Sequence, residues 1–218
     1  MKKNLLLILC SSVIFCSCHR SQNTDSGREE TKQIDYTNVQ EKSFSELFEE
    51  IQPDQIEGSP FHILTKDYAV VTAGPADSFN SMVIGEGMIG HSNMKSSISM
   101  RLRGGRYTLD KILETKTYTI TIFDEQFKKQ FMLFGQASGR NSNKMKETTL
   151  TPVATPSGNY SYKEARLVIE LKLAEIYTVN LEDVYSEDNK KFYEDAYNEV
   201  GSYHKVVVGD ITNVWVRK

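Results

Sequence analysis

Beyond residue 18 this chain of 218 residues has no cysteine; its three, Cys10, Cys16 and Cys18, all lie at the start. The body therefore carries no disulfide and no thiol nucleophile, and an apolar core must hold the fold. His62, His91 and His204 are scattered, and with no thiol to join them they make no metal-ligand pattern. Neither a Gly-x-Ser-x-Gly nucleophile elbow nor a phosphate loop ending in Gly-Lys-Ser or Gly-Lys-Thr is present. No internal repeat is visible. The early apolar run from Leu5 to Cys16 is 12 residues long, short of the roughly 20 that a membrane-crossing helix needs.

That run follows Lys2 and Lys3 and precedes a polar stretch, the layout of a signal peptide over residues 1–17. Ser17 directly before Cys18 resembles the lipobox of bacterial lipoproteins, whose cysteine becomes diacylated and N-terminal. Phe15 and Cys16 depart from its commonest form, which has Leu and then a small residue there. The expectation is a bacterial cell-envelope protein on the periplasmic or surface side, held to a membrane only through a lipid on Cys18. A plain secreted form, with the cysteines as ordinary small apolar residues, is the alternative. Processing takes the 26 basic residues to 24 against 29 acidic ones, a net charge of −5. So acidic a chain has no nucleic-acid footprint. Hydrophobic content of 39% and aromatic content of 10% suit a single globular domain. Residues 18–42 are polar and nearly free of large apolar side chains, and read as a disordered tether holding the domain about 25–30 Å from the bilayer.

Order is expected from Ser43, a helix N-cap with Glu46 three positions on and Phe44, Leu47, Phe48 and Ile51 on one face, up to Pro53. From Phe61 the pattern turns to period two. Strands are expected at Tyr68 to Thr72, Ser97 to Leu102, Thr117 to Phe123, Arg166 to Val179 and Tyr203 to Val216. Thr117 to Phe123 alternates hydroxyl and apolar residues, as a strand with one wet face does. Tyr107 to Thr115 (Tyr107, Ile112, Leu113) and Glu125 to Phe134 (Phe127, Phe131, Phe134) have helical spacing. Many strands with few helices and no βαβ repeat give an α+β barrel.

Four segments carry more polar chemistry than a scaffold needs. Phe79 to Gly90 sets Asn80 and Ser81 beside an apolar run with three glycines, which let a flat ligand approach backbone; its plain reading is a buried strand and turn. Arg101-Leu-Arg-Gly-Gly-Arg-Tyr-Thr108 puts three guanidinium groups at a strand-to-helix junction, where backbone amides and the helix dipole favour a phosphate. Otherwise it is a solvated basic loop with Thr108 as N-cap. Phe134 to Lys144 combines small residues, donors and two cations after a helix, and is by itself a helix end with a surface loop. His204, leading into the last strand, reads as structural. The acidic pairs Glu187-Asp188 and Glu194-Asp195 read as solvated faces.

Taken in order, these segments resemble the flavin-reductase-like, FMN-binding split-barrel family, flavoredoxin-like members above all, from about Pro60 to Val216. The markers are Thr72-Ala-Gly74, Phe79-Asn-Ser-Met82, Arg103-Gly-Gly-Arg-Tyr-Thr108, Phe123-Asp-Glu125, Gly135-Gln-Ala-Ser-Gly-Arg140 with Lys144, Leu150-Thr-Pro152, Glu164-Ala-Arg166 and Tyr203-His204. The resemblance implies that residues 43–218 form an α+β Greek-key split β-barrel with flanking helices, usually a homodimer, with FMN near the subunit interface. Asn80, Ser81, Met82 and Val83 would line the isoalloxazine. Arg103, Arg106, Tyr107 and Thr108 would sit by the ribityl phosphate, with Ser138, Gly139, Arg140 and Lys144 closing the anion site. The sequence departs from the family at Val83-Ile-Gly-Glu86, which loses hydroxyls and adds a carboxylate, and at Gly104, where a proline is common.

The function so implied is electron transfer from a reduced donor, NAD(P)H in relatives, through bound FMN to an acceptor, with no catalytic side chain assigned. Export sets this against a compartment not expected to supply NAD(P)H. A non-catalytic ligand-binding or interaction lipoprotein is the alternative, and a dimerising envelope scaffold a third reading.

Overall fold

The computed structural model describes residues 36, 38–136, 138–142, 144–197 and 203–218. The expected signal peptide, Cys18 and most of the expected tether lie outside them. Packing begins before the expected boundary at residue 43. Tyr36 donates to Asp124 Oδ2 at 2.5 Å and stacks edge-on against Phe127, and Val39 is buried.

A one-turn helix α1 (Phe44–Leu47) runs directly into β1 (Phe48–Ile51). After α2 (Pro60–Ile63), β2 (Ala69–Ala73) pairs with β3 (Asn80–Val83), and β4 (Gly87–Ser92) with β5 (Lys95–Arg103). Next come α3 (Tyr107–Thr115), β6 (Thr117–Ile122), α4 (Lys128–Gln136) and α5 (Lys144–Glu147). A short hairpin of β7 (Pro152–Ala154) and β8 (Tyr160–Tyr162) precedes β9 (Leu167–Thr178), α6 (Glu187–Ala196) and β10 (His204–Arg217).

The main sheet is antiparallel throughout, in the order β3-β2-β6-β9-β10-β5-β4. β1 lies beside the last residues of β10, from Phe48↔Arg217 to Ile51↔Val214. With its flanking helices this is the expected α+β split barrel. β10 has β9 along one edge and, in succession, β5 and β1 along the other.

That arrangement corrects the helix expected over Ser43 to Ile51. The helix start is as expected, with Ser43 N donating to Glu46 Oε2 at 2.8 Å, yet only one turn forms. Past β5 the edge of β10 is left with open backbone groups, and Phe48–Ile51 satisfies them as a strand.

Two cores lie on the two faces of the sheet. The inner one takes alternate residues of the strands, among them Val71, Ile98, Met100, Ile120, Ile169 and Val207, and is closed by Leu109 and Ile112 of α3. Each such fully buried side chain contributes about 1.5–3 kcal/mol. The second core, under α1 and α4, gathers Phe44, Phe48, Phe134, Val168 and Trp215. Phe134 is buried and Phe127 and Phe131 partly so, as the spacing implied, whereas Leu113 is exposed because α3 buries Thr108, Leu109, Lys111 and Ile112 instead.

The expected wet face of β6 is dry. Thr119 and Thr121 are both 0% exposed beneath the β7–β8 hairpin. Thr119 donates to Tyr160 O at 2.5 Å, and the Thr121 and Ser161 hydroxyls meet at 2.8 Å. Beside them Thr72, Ser81 and Tyr162 form a chain with separations of 2.7 and 2.6 Å. A buried hydroxyl left without a partner costs about 1–3 kcal/mol, whereas removing both partners leaves none unpaired. Thr121→Val and Ser161→Ala should therefore each destabilise the protein by about 1–3 kcal/mol, and the double variant by less than their sum, as read by urea unfolding at constant m.

Candidate functional site

Three segments distant in sequence meet at β3. α3 and α4 both pack against this strand, which ends the sheet, so one row of its backbone N–H and C=O groups is unused by the ladder. Asn80 Nδ2 donates to Thr108 Oγ1 at 2.7 Å and so pins the start of α3 to β3. Gly105, at φ +76°, makes the turn that aims α3 there. Arg106 and not Thr108 occupies the N-cap position; Thr108 lies within the helix and is buried.

The third segment closes over the other two. A Cβ at Gly139 would stand 2.7 Å from Asn80 Cγ and 2.8 Å from Tyr107 Cδ1, so only glycine lets this loop sit against both. Lys144, at the start of α5, turns inward and donates to Phe134 O at 3.1 Å, near the C-terminal end of α4.

Between them lies a hollow of ≈210 Å³. Nine of the twelve residues singled out in the sequence line it: Asn80, Met82, Val83, Arg106, Tyr107, Thr108, Ser138, Gly139 and Lys144. Phe134 and Gly135, inside the third segment but not singled out, complete the wall. A larger, shallow depression of ≈760 Å³ along the outside of α4 contains none of them.

The other three point elsewhere, for local reasons. Ser81 alternates with Asn80 and Met82 along β3 and faces the buried hydroxyl chain. Arg103 follows the buried Leu102 on β5, so its side chain leaves the core on the opposite face and lies over the Tyr197 ring at 5.3 Å. Arg140 pairs with Asp110, lies over Tyr107 at 5.3 Å, and lines a neighbouring groove. Glu86, the added carboxylate, is not among the residues lining the hollow.

His204 is a core residue. Its Nδ1 is 2.6 Å from Tyr197 OH, its ring is packed edge-on by Tyr193 and Tyr197, and burial lowers its pKa. The sequence reading assigns no helix to α6, which carries Tyr193 and is followed by Tyr197, although Ser186 before Glu187-Asp188 is a capping signal. Among the described residues no group of three or more His, Cys, Asp or Glu is placed to hold a metal.

Electrostatically the hollow is cationic, lined by Arg106 and Lys144. Burial, and then the charge of Arg106, push Lys144 down to about 8. Thr108 accepts from Asn80, which leaves its own proton to be donated, and the start of α3 adds backbone N–H groups and the positive end of a helix dipole.

Residues 61–218 match the flavin reductase like domain. The chain belongs to that family. Its fold is similar to that of an FMN-binding protein from Thermus thermophilus, at TM-score 0.53 and 18% identity, over 68% of each chain. The flavoredoxin of Desulfovibrio vulgaris (Miyazaki F) is 24% identical over 68% of each chain, with TM-score 0.51. An NADH:FAD oxidoreductase of Streptomyces globisporus C-1027 is 13% identical over 69% of this chain and 76% of its own, with TM-score 0.50. No curated protein matches the chain by sequence. The family region starts at residue 61, so α1 and β1 precede it.

The depressed pKa of Lys144 has a defined sign. A lysine whose folded value lies below its ordinary 10.5 costs stability in full below about pH 8, and that cost fades as pH rises towards 10.5. Lys144→Met should therefore raise the melting temperature relative to wild type at pH 7, with a smaller gain at pH 10, as thermal scans at the two pH values would read.

Proposed function

We propose that this protein binds FMN and carries electrons from a reduced donor through it to an acceptor. What supports this reading, within a flavin-reductase-like domain, is that Arg106 at the start of α3 and Lys144 at the start of α5 line one hollow with Asn80, Met82 and Val83 of β3. Bound flavin supplies the redox chemistry. The chain's residues bind and orient it. Arg106 and Lys144 hold the phosphate, Thr108 and Ser138 donate hydroxyl protons to its oxygens, and the edge of β3 from Asn80 to Val83 offers backbone groups to the rim of the ring. Met82, Val83 and Phe134 give the apolar wall a flat heterocycle needs. No side chain is assigned an acid or base role. The donor in this reading is a reduced carrier, NAD(P)H in relatives and a different one where the compartment holds none.

A charge-assisted hydrogen bond contributes about 1.5–3 kcal/mol, or about ten- to a hundredfold in affinity. Arg106→Ala should weaken FMN by that factor and leave riboflavin, which has no phosphate, unchanged. Absorbance titration reads both. Equal affinity of the unaltered protein for FMN and riboflavin would remove the phosphate site from this reading, and a protein that ignores both would move it to the non-catalytic alternative.

The same reading makes the protein a homodimer of the cell envelope, anchored by lipid on Cys18. Cys18→Ala should shift it from the membrane pellet to the soluble fraction; retention in the pellet would show that something else holds it there.

A further inference from the structure

The described chain enters the domain at one end of α4. Tyr36 OH donates to Asp124 Oδ2 at 2.5 Å, its ring meets Phe127 edge-on with centroids 5.0 Å apart, and these two partners come just before Lys128, the first residue of α4. Seventeen residues lie between Cys18 and Tyr36. In the tether reading of this segment, a linker of that length spans about 20–25 Å on average. A lipid on Cys18 would therefore leave α4 close to the bilayer.

The outer face of α4 is suited to lie on such a surface. Lys128 and Lys129 are exposed on its first turn, Met132 is 47% exposed on the next, and Leu133 is half-buried beside it. These four line the shallow depression outside α4, with Glu125 as its only acid. Among the described residues neither lysine has an ion-pair or hydrogen-bond partner. Two cations next to an exposed methionine and a leucine put charge at headgroup level and apolar side chains just beneath, the layout of an interfacial helix. At nine residues α4 can lie on a bilayer but not cross it. Its inner face stays in the protein, where Phe134 is buried and, with Gly135, walls the hollow.

We propose that this face of α4 docks on anionic lipid headgroups of the membrane that holds the chain. The proposal rests on the reading of Cys18 as the lipid anchor. A lysine near an anionic surface strengthens binding about fivefold, so two give roughly 25-fold, too little to hold an untethered domain. Tethering changes that, because a short flexible linker presents α4 to the bilayer at an effective concentration on the order of millimolar. One helix, roughly 10 Å across, then separates the hollow from the headgroups.

The test places the lipidated mature protein on vesicles of phosphatidylcholine with or without phosphatidylglycerol. An environment-sensitive fluorophore is attached at Met132→Cys, the only free thiol once Cys18 carries its lipid. With phosphatidylglycerol the emission is expected to move to shorter wavelength, and to return to its value in water at high salt or in the Lys128→Glu, Lys129→Glu double variant. Emission that keeps its value in water while the protein floats with these vesicles would overturn the docking and leave the anchor standing. A protein that does not float with them would overturn the anchor and the docking with it. An equal shift on phosphatidylcholine alone, or one that the charge reversal does not touch, would mean that something other than anionic headgroups covers α4, residues 19–35 of the chain included, and would overturn the proposal.

Discussion

The structure depends on a strand face that is polar and yet dry. Thr72, Ser81, Thr119 and Thr121 line the outer side of β2, β3 and β6, and each is at most 1% exposed. Hydroxyls taken out of water must be paired, and the partners here come from one short hairpin: Tyr160 O, the Ser161 hydroxyl and the Tyr162 hydroxyl. A slip of one residue in any of these strands would turn an apolar side chain into the polar layer and a hydroxyl into the core. The layer thus sets register where apolar packing alone would tolerate alternatives. Glu170 extends the same logic to β9, its buried carboxylate accepting from Thr155 at 2.6 Å.

Register at this layer decides where the site is. Ser81 is held by Thr72 and Tyr162, so the next residues on either side, Asn80 and Met82, must face the other way, towards α3 and the hollow. Asn80 then pins Thr108, which places Arg106 and the first turn of α3; Gly139 rests on Asn80 and Tyr107, and α5 brings Lys144 in behind. The hollow is therefore the far end of a set of hydrogen bonds that begins in the barrel wall. Apart from Ser138 and Gly139, which lie in the 138–142 loop, its parts lie on strand and helix ends, which are stiffer supports than free loops.

Much of this is legible in the sequence. The long strands announce themselves by period two, and the donor-rich stretches around Asn80, Arg106 and Ser138 meet as the family resemblance implied. What could not be read depends on distant partners. Phe48–Ile51 has the spacing of a helix and becomes a strand because β10 offers an edge some 160 residues later. Threonine alternation in β6 is the same string whether water or the β7–β8 hairpin covers it. Arg103 and Arg140 look equivalent to Arg106 along the chain, but strand alternation sends the first to Tyr197, and Asp110 holds the second on the outer rim. α6 was missed because its charged residues dominate the string, and only Tyr193 is buried.

Lys144 carries the charge conflict on which the proposed phosphate site turns. An ammonium group that burial and a neighbouring guanidinium push down to about 8 is a local conflict of the kind that collects at functional sites, even with Phe134 O accepting from it. A phosphate placed between Arg106 and Lys144 reverses that sign, because each cation then gains an anionic partner and the mutual repulsion is offset. Binding would accordingly draw a proton onto Lys144 above about pH 8, and the affinity for a phosphate-bearing flavin would decline with rising pH there while that for riboflavin stayed level. The same charges that weaken the fold would thus be the source of the proposed preference for an anion, and the hydroxyl layer behind β3 is what keeps them in place.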